Sequence, residues 1–285
     1  MRQKVKKMSL GVFQGRLSPP RGRGIQFFPF ETWREEFPAA ENLELSEIEF
    51  IFDKERYEEN PLWTNDGIKE IKRLRRSHGI AVNHICADYF MRDPFFRVAE
   101  EIKSRSISVL KRLVEATAEI GARNIEIPLV DNSSIKTEDE ERALIDAIGS
   151  VLPEAKKAGV TIGLETDLPP KKFRQLLERF GNPTVRANYD TGNSASLGFS
   201  AREELLTIGP YIRNIHIKDR VLHGGTVPLS RGNADFEAFF STLKEIGYEG
   251  SLILQAARGE DGREQETIEG YIKFIHDYIG KYLTV

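Results

Sequence analysis

Cysteine is almost missing from this chain. Cys86 stands alone among 285 residues, which excludes an internal disulfide and a cysteine-built zinc site and fits a reducing compartment. Long apolar runs are missing as well: no window approaches the roughly 18 apolar residues of a membrane span. The apolar run after the basic start MRQKVKK is cut short by Gln14 and Arg16, so no signal peptide is expected and 1–7 reads as a basic tail. Neither sign of charge dominates. With 41 basic and 44 acidic residues the net charge is -3, so no overall field draws the chain to nucleic acid or an anionic membrane, and any anion site must be local. Repeats, low-complexity tracts and a linker that would mark a domain boundary are also lacking. What is left is a cytoplasmic enzyme or binding protein with 40% hydrophobic residues, long enough for a large core.

What is present is a rhythm. Apolar or alternating segments read as strands at 8–14, 45–52, 80–87, 124–130, 160–166, 185–190, 212–220 and 250–258. Helical periodicity fills the intervals, at 31–41, 66–77 (capped by Asn65), 99–120, 138–158 (capped by Thr137), 169–180, 201–208 (capped by Ser200), 235–246 and 264–279. Eight strands alternating with helices, about 36 residues per unit, predict a single-domain α/β fold, a closed (β/α)8 TIM barrel over 1–285. The open doubly wound sheet is the main alternative. Its first strand-to-helix turn carries a glycine-rich phosphate fingerprint, which GVFQGRLSPP lacks.

The stretch IRNIHIKDR alternates Ile215 and Ile217 with Asn214, His216 and Lys218, so one face of that strand is polar. Taken alone, a histidine there reads as a hydrogen-bonded structural residue. VTIGLET, VRANYD and GSLILQAAR, however, carry Glu165, Asp190 and Gln255 at or near their ends. In a TIM barrel the C-terminal strand ends form one face, where all four side chains can converge. An imidazole and two carboxylates from adjacent strands make a mixed nitrogen and oxygen site suited to Mn2+, Zn2+, Co2+ or Mg2+.

With those motifs in place, GLETD at Glu165, YDTGN at Asp190, IHIKD at His216, the loop GGTVPLSRGNADF and ILQAARG at Gln255, the chain resembles the xylose-isomerase-like sugar phosphate isomerase/epimerase superfamily. Its members include ketose 3-epimerases, hydroxypyruvate isomerases and the endonuclease IV family. The resemblance implies one divalent metal held by Glu165, Asp190, His216 and the residue at 255, with the two glutamate positions also moving protons. Two positions depart from the pattern: Gln255 stands where a glutamate is usual, and Asn193 where a histidine is frequent. A glutamine carbonyl remains an oxygen ligand, but the site has one less negative charge.

Gln255 cannot accept a proton, which bears on mechanism. Inverting a carbon next to a carbonyl commonly uses a base on each face of an enediolate. Glu165 alone suffices for an aldose-ketose isomerisation, and an epimerisation requires Glu49, His84 or Asp219 as the second base. Glu49 and Asn193 are further candidate substrate contacts. Arg16, Lys218, Arg220, Arg231 and Arg258 follow strand ends, and so many basic groups near one mouth favour an anionic sugar, a sugar phosphate or sugar acid, as partner. Homo-oligomerisation is left open. Two rival readings stand beside the isomerase: a catalytically weak sugar-binding relative, and an endonuclease IV-like DNA-repair hydrolase. Five histidines, with only His84 and His216 on strands, argue against the trinuclear site that the hydrolase needs.

Overall fold

The computed structural model describes residues 8–283, so the basic tail read at 1–7 lies outside the described residues. The strands are β1 (Ser9–Phe13), β2 (Glu47–Ile51), β3 (His84–Cys86), β4 (Asn124–Leu129), β5 (Thr161–Thr166), β6 (Val185–Asp190) and β7 (Ile212–Ile217). After them come β8 (Asp219–Arg220), β9 (Thr226–Val227) and β10 (Ser251–Leu254). All but β8 and β9 are parallel and close into the expected barrel, in the order β1-β10-β7-β6-β5-β4-β3-β2. β8 and β9 pair antiparallel as a short ribbon beyond the end of β7. The 212–220 segment is therefore not one strand, because Lys218 leaves the barrel wall between β7 and β8.

Each barrel strand puts aliphatic side chains outward under the helices. Ile125, Ile127 and Leu129 of β4 are at most 1% exposed, as are Leu252 and Leu254 of β10. The opposite parity of several strands points inward, and there the barrel is polar: Glu47, Glu49, His84, Asn124, Glu126, Asn188, Asn214 and His216 are all at most 3% exposed. Burial of so many polar groups demands partners, and the barrel interior meets part of that demand within itself. Asn214 Nδ2 donates to Glu49 Oε2 at 2.9 Å, Asn83 Nδ2 to Glu47 Oε2 at 2.7 Å, and Thr161 Oγ1 to Asn124 Oδ1 at 2.8 Å.

Helix boundaries follow capping chemistry. The helix Asn65–His78 is capped one residue earlier than expected, by Thr64 rather than Asn65, because Thr64 Oγ1 accepts from Gly67 N at 3.1 Å. The single helix expected at 138–158 is two, Glu138–Gly149 and Leu152–Ala158. Pro153, which tolerates only the first turn of a helix, opens the second. Two short helices, Tyr89–Arg92 and Thr191–Leu197, lack the periodicity that marks longer ones; the latter starts directly at the end of β6.

Candidate active site at the C-terminal mouth of the barrel

Asp190 ends β6 and caps the helix Thr191–Leu197, its Oδ1 accepting from Gly192 N at 2.8 Å and Asn193 N at 2.7 Å. That cap fixes one oxygen and leaves Oδ2 free to face its neighbours. Residue pairing sets Asp190 beside His216 on β7. Glu165 comes from β5, accepting at Oε1 from Asn193 Nδ2 and at Oε2 from Asn188 Nδ2, the latter at 3.3 Å. His216 Nδ1 lies 3.4 Å from Glu165 Oε2 and 3.9 Å from Asp190 Oδ2. Glu165, Asp190 and His216 can each offer a ligand atom within 4.8 Å of the others.

A second trio shares the same imidazole. On its far side His216 Nε2 pairs with Glu49 Oε2 at 2.9 Å, and Glu126 Oε2 is 3.1 Å from the same nitrogen. Glu49 and Glu126 have no exposed surface. Burial opposes charge on His216, but Glu126 and Glu49 outweigh it and hold the imidazole well above its usual range. Burial likewise works against Glu165, yet its contacts with His216, Glu126 and Lys218 bring it down to about 2. Asp190 is pushed up by burial, which the nearby Lys218 offsets only in part. Phe13 meets the imidazole edge-on, with centroids 5.5 Å apart, and fixes its plane.

Above this floor opens a cavity of about 690 Å³, lined among others by Glu126, Glu165, Asn193, Lys218, Arg220 and Gln255. Lys218 Nζ donates to Gln255 Oε1 at 3.0 Å and approaches Asp190 Oδ2 at 3.5 Å. Arg220 Nη1 donates to Asn193 Oδ1 at 2.8 Å.

The family model for xylose isomerase-like TIM barrels matches residues 37–275. The chain belongs to that family. Its relatives include the L-ribulose-5-phosphate 3-epimerase UlaE of Salmonella paratyphi A, 23% identical over 258 residues that cover 88% of this chain and 87% of UlaE. An L-ribulose 3-epimerase structure superposes with a TM-score of 0.77 at 17% identity, covering 96% of this chain and 95% of the other. The IolI protein, crystallised with a bound zinc atom, gives 0.78 at 18% identity over 98% of this chain and all of IolI. The chain is thus similar to sugar phosphate epimerases, enzymes of the isomerase class, and no helix among the described residues is long and apolar enough to cross a membrane.

Within this family member the structure separates the sequence candidates into three groups. Glu165, Asp190, His216, Gln255, Asn193, Lys218 and Arg220 come together. Glu49 and His84 point into the barrel but below the cavity. His84 pairs in register with Asn124 at the start of β4 and its Nε2 lies 3.2 Å from Ser251 Oγ, so it is neither near the reacting volume nor placed as a base. Glu49 is closed off beneath His216 and cannot reach a substrate. Asp219 is spent on backbone, accepting from Gly232 N at 2.8 Å and Ala234 N at 3.0 Å, and so holds the loop after β7.

Arg16 and Arg258 are corrected in the same way. Arg16 Nε donates to Ala256 O at 2.9 Å and Nη1 to Ile25 O at 2.5 Å; buried and beside Arg258, its guanidinium is lowered to about 9. Arg258 donates to Gly15 O at 2.7 Å, Ser18 O at 3.0 Å and Ile25 O at 3.0 Å. Both staple the loop after β1 and neither lines the cavity. Arg231 is exposed in its loop.

Sequence reasoning missed Glu126, Gln26 and Asp88. Glu126 had a signal, being the one acid between isoleucines in NIEIPLV, on the inward parity of Asn124. Gln26 and Asp88 lie on loops, where no period reports direction. Gln26 Nε2 donates to Asp88 Oδ2 at 2.5 Å while its Oε1 accepts from Gln255 Nε2 at 3.3 Å. Burial pushes the Asp88 carboxyl up to about 6, and the Gln26 hydrogen bond only partly counters that.

Proposed function

We propose that this chain is an epimerase of a ketose phosphate that works by proton transfer at the carbon beside the carbonyl. The observation that supports the reading is the convergence of Glu165, Asp190 and His216 at the base of the barrel mouth, with Glu165 lining a cavity whose wall also carries Lys218 and Arg220. The donor set, two carboxylates and an imidazole nitrogen directed at one point, fits a divalent ion such as Mn2+, Zn2+, Co2+ or Mg2+. Glu165, Asp190 and His216 would hold it, with the Gln255 carbonyl as a fourth ligand. Such an ion polarises a ketose carbonyl and neutralises charge developing on its oxygen.

Glu165, kept ionised by its neighbours, takes the proton from the carbon next to the carbonyl and leaves an enediolate. Inversion then needs a proton delivered to the other face, which Gln255 cannot supply. Asp88 is the group we assign to that step. It lines the same cavity, is linked through Gln26 to Gln255, and has a carboxyl raised far enough to carry a proton under mildly acidic to near-neutral conditions. After inversion Glu165 holds a proton and Asp88 has lost one, and exchange with solvent resets both. Arg220 and the exposed Arg92 at the cavity rim offer guanidinium groups to the phosphate.

The test is a panel of ketose phosphates, L-ribulose 5-phosphate first, each paired with its unphosphorylated sugar and incubated with Mn2+, with products identified by NMR. Epimer formation from a phosphorylated ketose is expected. Turnover confined to neutral sugars would overturn the anionic substrate, and aldose products alone would replace epimerisation by isomerisation.

A further inference from the structure

Lys218 is held in a way that a solvent-facing loop lysine is not. Thr191 Oγ1 accepts from Lys218 N at 2.9 Å and donates to Lys218 O at 2.6 Å, so the backbone there is clamped from both sides by the residue that follows Asp190. The side chain then passes across Gly192, where an added Cβ would lie 2.7 Å from Lys218 Cγ and 3.0 Å from its Cβ. Only glycine leaves that passage open. At the end of the passage Nζ lies between Asp190 Oδ2 and Gln255 Oε1, at 3.5 and 3.0 Å, and the side chain is only 14% exposed. These two oxygens are among those that a metal ion at this site would use.

The charges agree with the geometry. With glutamate at position 255 the site would hold three carboxylates, which a divalent ion would leave with a single net negative charge. With Gln255, the two carboxylates already face cationic charge without any ion, the Lys218 ammonium on one side and the His216 ring on the other. A divalent ion added to the site as it stands would face the ammonium within a few ångströms, a repulsion strong enough at that depth to weaken binding severely.

We propose that the Lys218 ammonium is the resident cation of this site, and that a divalent ion enters only by displacing it from Asp190 and Gln255. This rests on the reading of Glu165, Asp190 and His216 as the ion site, and it assigns the pair Lys218 and Gln255 as the feature that sets affinity for the ion. Displaced, Nζ remains on the cavity wall, where it can meet an oxygen of the substrate.

Mn2+ titration by calorimetry, with no sugar present, tests it on the wild type, Lys218→Met, Lys218→Gln and the double variant Lys218→Met/Gln255→Glu, with Asp190→Asn marking the site. The expected result is Mn2+ binding that is tighter by at least about tenfold in both single variants, tighter again in the double variant, and lost in Asp190→Asn. Affinity equal to or weaker than wild type in folded Lys218 variants would overturn the role of Lys218 while leaving the ion site standing. Absence of Mn2+ binding in every variant, the double one included, would instead overturn the ion site itself and the proposal with it. Should the variants fail to fold, reductively 13C-methylated wild type provides the second reading: Zn2+ must shift the Lys218 methyl resonance, and a bound ion that leaves it unmoved contradicts displacement.

Discussion

The two sides of the His216 ring are built from the same residue types and do different things. On the Nδ1 side stand Glu165 and Asp190, on the Nε2 side Glu49 and Glu126, and either pair with the imidazole could present three ligand atoms to one ion. On the Nδ1 side the carboxylates are tied to donors: backbone N–H groups for Asp190, two asparagine amides for Glu165, and Lys218 beyond them. On the Nε2 side Glu49 Oε1 and both oxygens of Glu126 have no hydrogen-bond partner among the described residues, and neither glutamate has any exposed surface. The difference teaches that ligand chemistry does not make a site by itself. The Nδ1 side, where Glu165 lines the cavity, can exchange a substrate; on the Nε2 side Glu49 is closed off and Glu126, at the cavity's edge, has no exposed surface, so that side sets the charge and orientation of the imidazole.

The strongest break in the comparison is His216→Ala, because it strips both pairs of carboxylates of their shared cation. We expect a loss of about 3–5 kcal/mol in denaturant unfolding. A loss below about 1 kcal/mol would mean that the closed carboxylates do not depend on the ring. Glu49 and Glu126 then separate. Glu49 is held low, His216 overcoming its burial, whereas burial pushes Glu126 well up. Glu49→Gln removes a charged partner and should cost about 2 kcal/mol, while Glu126→Gln, at a carboxyl that burial pushes toward its neutral form against the pull of His216, should cost less, about 1 kcal/mol. Equal costs would erase the distinction.

On the open side, Arg220→Ala should raise KM for a phosphorylated sugar about tenfold with kcat little changed, since it removes a binding contact and no reacting group. Equal effects on neutral and phosphorylated sugars would take the arginine away from the phosphate. A last contrast concerns Glu36, a buried carboxyl with no cation like His216 in contact among the described residues. It accepts from Gly15 N at 2.8 Å and Leu17 N at 3.3 Å, and burial raises it to about 7. Its folded pKa lies above its unfolded one, so between the two the folded state binds the extra proton and stability falls as pH rises. Thermal melts of Glu36→Gln against wild type should therefore diverge in favour of the variant between about pH 5 and about pH 8. Parallel curves would show that Glu36 does not titrate there.

Much of this was legible in the sequence because a barrel strand has two parities. The polar parity of VRANYD and IRNIHI identifies Asp190 and His216 as inward, and the eight-fold alternation identifies which end is the mouth. Depth is not legible in the same way. Glu49 and His84 share the inward parity, but the stagger between strands sets them below the floor, and no local pattern reports stagger. Loop arginines are opaque for a different reason. Arg16 and Arg258 carry the residue type that binds phosphate, yet their five-donor forks serve backbone carbonyls of a loop without regular structure, a demand that follows from the path of that loop. Gln255 and Lys218 could each be read as a ligand or a contact; that they bond to each other is a property of the β7 and β10 ends alone.

Exchange of solvent deuterium into the carbon beside the carbonyl of L-ribulose 5-phosphate, followed by NMR in wild type, Glu165→Gln and Asp88→Asn with Mn2+ present, tests the central claim most directly. Proton abstraction by Glu165 predicts exchange in the wild type, its loss in Glu165→Gln with the fold intact, and exchange that continues in Asp88→Asn while the epimer fails to form. Exchange undiminished in Glu165→Gln, or absent from the wild type across the whole panel of ketose phosphates, would contradict it.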